Sequence, residues 1–184
     1  DGGVAAFRRD RLLRERLVRA TVTFRVSMAA LGAGLLGAFI AAEAGLYDVA
    51  ATSPHLSITY DLMHWVAVRS IARRAENARM PVLAAADMDR AILTYDRVCS
   101  ICHGAPGRAP EAFAEGMNPP APPLPFIGRE WPVNRIFQAT AYGLKMTGMP
   151  AWRYRLEEEA LWAVTDFVRT LPGVTAERLR EWRE

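Results

Sequence analysis

Residues 26–42 read VSMAALGAGLLGAFIAA and carry no charged side chain. No other stretch of the 184 residues limits the backbone so narrowly. In hydrocarbon every peptide N–H and C=O needs a partner within the protein, and a single segment achieves this only as an α-helix. Residues 26–47 as a helix measure about 33 Å, enough to cross a hydrocarbon core of roughly 30 Å. Glu43 then lies near one end, within reach of the headgroups, and Tyr47 suits the interface. A cleaved secretion signal fits less well. The apolar run is longer than the usual signal core, its basic preface is long, and no small-x-small cleavage site follows a polar turn. The expectation is a retained transmembrane helix over 26–47.

Charge gives that helix a direction. Residues 1–25 hold seven arginines against Asp1, Asp10 and Glu15. A basic flank stays cytoplasmic, so the chain after Tyr47 is expected in the bacterial periplasm. From Glu43 onward there are 16 basic and 17 acidic residues. The pI near 9.2 is therefore partly a topology signal and makes no case for nucleic acid. Within the span Ala29, Ala33, Gly37, Ala41 and Gly45 recur every fourth residue. Such a stripe lets another helix approach closely in lipid, which points to other membrane subunits as partners.

The chemistry of the chain is concentrated in Cys99-Ser100-Ile101-Cys102-His103. This is a C-x-x-C-H run, the attachment pattern of a c-type haem. The two thiols add across vinyl groups and His103 is then held beneath the iron. No other cysteine exists in the chain. A structural zinc site needs a second pair of ligands, which is missing. A thioredoxin-like motif needs a βαβ setting, whereas these flanks read helical. A disulfide across two residues closes too short a loop to stabilise much.

The flanks supply an all-α frame. Ser53 can cap and Pro54 can open an amphipathic helix reaching about Ala78 and ending before Pro81. His55 and His64 on this stretch read as surface or interface histidines rather than ligands of a second haem. Residues 87–102 read as a helix entering the motif. Residues 132–142 and 157–171 are two further helices, the latter stopped by Pro172-Gly173. The proline-rich stretch Asn118-Pro119-Pro120-Ala121-Pro122-Pro123 suits neither helix nor sheet and can wrap a flat cofactor. Met146 and Met149 both offer a thioether for the far side of an iron, where a soft sulfur raises the potential.

Residues 99–107, CSICHGAPG, followed by residues 145–152, KMTGMPAW, resemble a class I, mono-haem cytochrome c domain over roughly 84–172. Tyr95 and the late Trp162/Phe167 helix suit the crossing terminal helices of that fold, and Ala91 stands where the family often has glycine. The resemblance implies a small all-α domain with one covalent haem c in an apolar crevice. It carries the distal ligand to Met149, the methionine before Pro-Ala. Residues 45–55 also resemble membrane-anchored bacterial cytochromes of this type.

The expected organisation is a basic cytoplasmic segment 1–25, a transmembrane helix 26–47, a periplasmic amphipathic helix and linker 48–83, a cytochrome c domain 84–172 and a tail 173–184. Cys99, Cys102, His103 and Met149 bind the haem, with His103 and Met149 on the iron. The expected function is electron carriage between redox partner proteins, in a respiratory or photosynthetic assembly, with no bond chemistry of its own. The competing class is a haem enzyme, peroxidase or gas-reactive, or a redox sensor, and it requires a displaceable sixth ligand.

Overall fold

The computed structural model describes residues 2–182, with side chains of the first helix described from Arg14 onward. Asp1, the last two residues of the expected tail, and the side chains of Arg8, Arg9 and Arg11 lie outside the described part. The chain forms two compact units, one ending at Ala50 and the other beginning at Ala51. The described residues are helical and contain no strand; one isolated bridge joins Ala105 and Arg108.

The first unit is a single helix, α1 (Gly2–Glu43). Arg14–Glu43 is long and apolar enough to cross a membrane, and none of its most apolar window is buried within the chain. α1 begins well before residue 26, so the basic segment is helical too. It also stops short of Tyr47. Gly45 turns left-handed at φ 64°, and Leu46 N–H returns to the Ala41 carbonyl at 3.0 Å while Gly45 N–H returns to Ala42 at 3.0 Å. That pair of bonds satisfies the last carbonyls and terminates the helix.

The second unit opens with α2 (Ser57–Ala75). Its start is later than the Ser53-Pro54 signal suggests. The Ser53 carbonyl is engaged instead by Asn118 Nδ2 at 2.9 Å, and Leu56 precedes the helix without a side-chain cap. Ile71 and Ala75 are buried where α2 meets a later helix.

The expected helix 87–102 is three pieces: α3 (Ala85–Thr94), a π-helical turn (Tyr95–Cys99) and α4 (Ser100–His103). Asp87 sits in the first turn of α3 and accepts from Ala84 N–H at 3.0 Å. A short 3₁₀ turn (Ala112–Gly116) and a helix the sequence did not announce, α5 (Leu124–Glu130), follow. Then come α6 (Val133–Tyr142), a 3₁₀ turn at Trp152–Tyr154, and α7 (Glu158–Thr170). Asn134 of α6 donates to the Ala75 carbonyl of α2 at 2.9 Å.

The core lies where α3 and the π turn pack against α7. Tyr95 meets Phe167 edge-on at 5.3 Å, and Phe137 of α6 stacks on Trp162 at 3.8 Å. Ala91 is buried here, so the small side chain keeps the close crossing that glycine would serve. Gly128 brings α5 against α7 with no room for a Cβ, which would overlap the Val168 carbonyl. The stretch expected as a tail instead carries α8 (Ala176–Glu181). Leu179 is buried in the core and Trp182 meets Phe167 edge-on at 6.0 Å. Its apolar content is too sparse to show a helical period, which is why the sequence reads as a tail.

Candidate haem-binding site

The π turn inserts an extra residue into the helix leading to the motif. Tyr95 is fully buried, while Cys99 and Cys102 remain half-buried free thiols. Burial, and secondarily the neighbouring Cys102, push the Cys99 thiol up to about 12. It is therefore neutral at physiological pH and behaves as a small apolar group, suited to the edge of a macrocycle.

The backbone around His103 is closely bonded. Gly104 ends α4 at φ 68°, where a Cβ would come within 2.8 Å of the Arg108 carbonyl. Its N–H donates to Ser100 O at 2.8 Å, and its own carbonyl accepts from the Tyr95 hydroxyl at 2.8 Å. Burial of that hydroxyl is the main reason the Tyr95 pKa is raised. Ala105 and Arg108 exchange two backbone bonds of 2.8 Å, and Glu111 N–H donates to Ile101 O at 2.9 Å. Arg108 pairs with Asp96 at 2.7 Å and also donates to Ser100 Oγ.

His103 is half-buried, and its Nδ1 lies 2.7 Å from the Pro122 carbonyl. A carbonyl oxygen only accepts, so Nδ1 carries the proton and Nε2 carries the free lone pair. Burial lowers the ring's pKa and the Pro122 bond partly offsets it, which keeps the imidazole neutral. A neutral imidazole with its second nitrogen held by a carbonyl is the form that binds a metal. With free thiols at Cys99, the end of the π turn, and at Cys102 in α4 beside it, these residues fit a covalently attached haem. Among the described residues no group of three or more His, Cys, Asp or Glu can hold a bare metal ion.

Met149 sits on a separate loop after α6. Gly143 starts this loop at φ 65°, and a Cβ there would come within 2.6 Å of Pro150 C. Leu144 N–H donates to Met149 O at 3.2 Å, and the Thr147 hydroxyl accepts from Met149 N–H at 3.1 Å. Met149 is half-buried, whereas Met146 has a left-handed φ of 59° and is 79% exposed. A third thioether escaped the sequence reading. The Met117 methyl group covers Gly148 so closely that a Cβ there would overlap it. The short segment from Met117 to Pro122 thus touches the Met149 loop at one end and holds His103 at the other. A backbone carbonyl has no side-chain signature, so Pro122 was visible only as part of a proline-rich loop. His64 stacks on Tyr60 within α2 at 5.9 Å.

Residues 86–168 match the family model described as cytochrome c oxidase, cbb3-type, subunit III. Together with the C-x-x-C-H turn, that decides the class. This part of the chain is a class I c-type cytochrome domain. Such a domain binds haem c and serves electron transfer. No curated protein and no solved structure matched the chain.

Proposed function

We propose that this protein is a membrane-anchored mono-haem cytochrome c that carries electrons between partner proteins on the periplasmic side of a bacterial inner membrane, as a subunit of a respiratory or photosynthetic complex. The observation that carries the reading is the 2.7 Å contact between His103 Nδ1 and the Pro122 carbonyl, at the end of α4, which contains Cys102 and directly follows Cys99. It leaves Nε2 as the only nitrogen able to take the iron. Cys99 and Cys102 would hold the haem by thioethers, and His103 and Met149 would be the residues that ligate its iron. The haem, when bound, supplies reversible one-electron oxidation and reduction of its iron.

The chain's own residues set the conditions for that chemistry. The Tyr95–Gly104 bond and the Arg108–Asp96 pair hold the His103 turn still, so that little rearrangement accompanies a change of charge. A thioether ligand from Met149 would favour the reduced iron and raise its potential relative to a second histidine. α1 tethers the domain, and the arginines before the span support a cytoplasmic N-terminal side. The matched family is named for a subunit of an oxidase, which supports a place among other redox subunits. The small-residue stripe of α1, Ala29, Ala33, Gly37, Ala41 and Gly45, supports the same reading, because small side chains let a second helix approach closely in lipid.

The test is a pyridine haemochrome assay on the full chain made in cells that mature c-type cytochromes. One covalent haem per chain and a six-coordinate spectrum unmoved by carbon monoxide are expected. Two haems per chain would give His55 or His64 a ligand role. Ready carbon monoxide binding would favour a haem enzyme or sensor.

A further inference from the structure

α2 has two apolar faces, and only one of them is used by the fold. Ala67, Val68, Ile71, Ala72 and Ala75 line the side that meets α6, with Ile71 and Ala75 buried. Ile58, Leu62, Trp65 and Val66 recur at helical spacing on a side turned well away from it. They are 76%, 56%, 58% and 41% exposed. Arg69 and Arg73 continue the same face by one and two turns, and the Arg69 guanidinium lies 6.0 Å over the Trp65 ring. No acidic side chain within α2 falls on it; Asp61 is about a quarter turn away.

We infer that this outward face of α2 lies on the membrane surface, with Ile58, Leu62, Trp65 and Val66 in the acyl boundary and Arg69 and Arg73 on anionic headgroups. The inference rests on the membrane-anchored reading of α1. Three observations favour lipid over a protein as the occupant. The tether is short: from Tyr47 to Ser57 the extended chain reaches about 35 Å, so α2 cannot leave the neighbourhood of the bilayer. The charge has one sign and sits at one end of the apolar patch, which matches a helix lying in an interface of anionic lipid. Trp65 under Arg69 is amphipathic in the way interfacial tryptophans are, with an apolar body and a cationic cap that keeps contact with water. Because α2 is bonded to α6 through Asn134 and Ala75, docking it would fix the orientation of the haem domain rather than leave it swinging on a tether.

The test places a nitroxide at Leu62→Cys, with Glu159→Cys at an exposed position in the first turn of α7 as the control, in the full haem-loaded chain. Haem attachment occupies Cys99 and Cys102. The protein is reconstituted into phosphatidylcholine vesicles containing phosphatidylglycerol, and relaxation by oxygen is compared with relaxation by an aqueous nickel chelate. Leu62→Cys is expected to favour oxygen and Glu159→Cys the chelate. Adding Ile58→Gln and Trp65→Ser should reverse the preference at Leu62→Cys while leaving the visible spectrum unchanged. A chelate-accessible Leu62→Cys in vesicles overturns the inference. So does a label open to chelate in pure lipid but shielded from both probes in native membranes, since a protein then covers the face. Alkaline extraction of the same vesicles tests the anchor separately. Extraction of the chain would refute the anchor reading, and the oxygen preference measured beforehand would still decide the role of α2.

Discussion

The turn that carries His103 is bonded outward to three other parts of the domain, whereas the loop that carries Met149 is bonded mainly to itself. On the first side the partners are Tyr95, Asp96, Glu111 and Pro122, spread from the start of the π turn to the proline-rich loop. On the second side the bonds run among Leu144, Thr147 and Met149. From outside, the Met117 methyl lies against Gly148. The domain therefore places His103, the proposed proximal ligand, on a frame tied to other segments, and Met149, the proposed distal ligand, on a small self-supporting loop. On the proposed ligation, ligand exchange or a change in potential is expected to be easier from the second side.

The largest expected effect comes from removing the anchored side altogether. Cys99→Ala with Cys102→Ala should abolish covalent haem, read as loss of the haem stain on a denaturing gel. His103→Ala should leave too little ordered six-coordinate iron to detect in the reduced spectrum. If either variant kept a normal c-type spectrum, the C-x-x-C-H turn would not be the attachment site.

The next effect separates the thioethers. Met149→Ala should remove the weak long-wavelength band of the oxidised protein, lower the potential and admit carbon monoxide. Met146→Ala should leave all three nearly unchanged, as its exposed, left-handed position already suggests. Met117→Ala should keep Met149 on the iron but loosen it, seen as faster carbon monoxide entry with a small drop in potential. Reversal of the Met146 and Met149 results would move the distal ligand. An inert Met117→Ala would mean that the Met149 loop needs no outside support.

Parts of this comparison were legible in the sequence and parts were not, for physical reasons. The C-x-x-C-H run has a fixed chemistry, and α6 and α7 have strong apolar periods bounded by proline and glycine. Those elements appear within a residue or so of where the pattern puts them. The π turn was invisible because an inserted residue leaves composition and spacing almost unchanged. α5 and α8 are too short for a helical period to emerge. Pro122 and Gly104 act through backbone carbonyls, and Met117 acts across a long sequence gap. Sequence reasoning finds residues whose side chains do the chemistry more readily than those that only hold others in place.

A smaller pair of effects compares the two frames in the protein's stability. Tyr95→Phe leaves the Gly104 carbonyl without its buried donor and should cost about 1–3 kcal/mol in thermal or denaturant unfolding. Thr147→Val removes the hydroxyl that bridges Leu144 and Met149 in a loop that water reaches, and should cost at most about 1 kcal/mol. A larger loss from Thr147→Val than from Tyr95→Phe would invert the ranking of the two sides.

The smallest effect concerns the entrance to the His103 side and depends on pH. Asp87 accepts from Ala84 N–H at 3.0 Å and from Arg90 at 2.6 Å at the start of α3. The Ala84 bond first, and Arg90 second, hold its pKa below the ordinary carboxylate value. A carboxyl depressed in the folded state binds protons more readily once unfolded. Its contribution is therefore complete above the unfolded pKa and is lost as pH falls through the folded one. The window lies in acid, below about pH 4, and the residue should give no pH dependence near neutrality. Asp87→Ala should lower the melting temperature modestly at pH 7. The gap from the parent protein should shrink as both are titrated into acid, because the parent loses there what the variant never had. A gap that stays constant down to the lowest accessible pH would mean that the charge contributes nothing and that Asp87 acts only by its helix-starting shape. The comparison would then rest on Tyr95 and Pro122 alone.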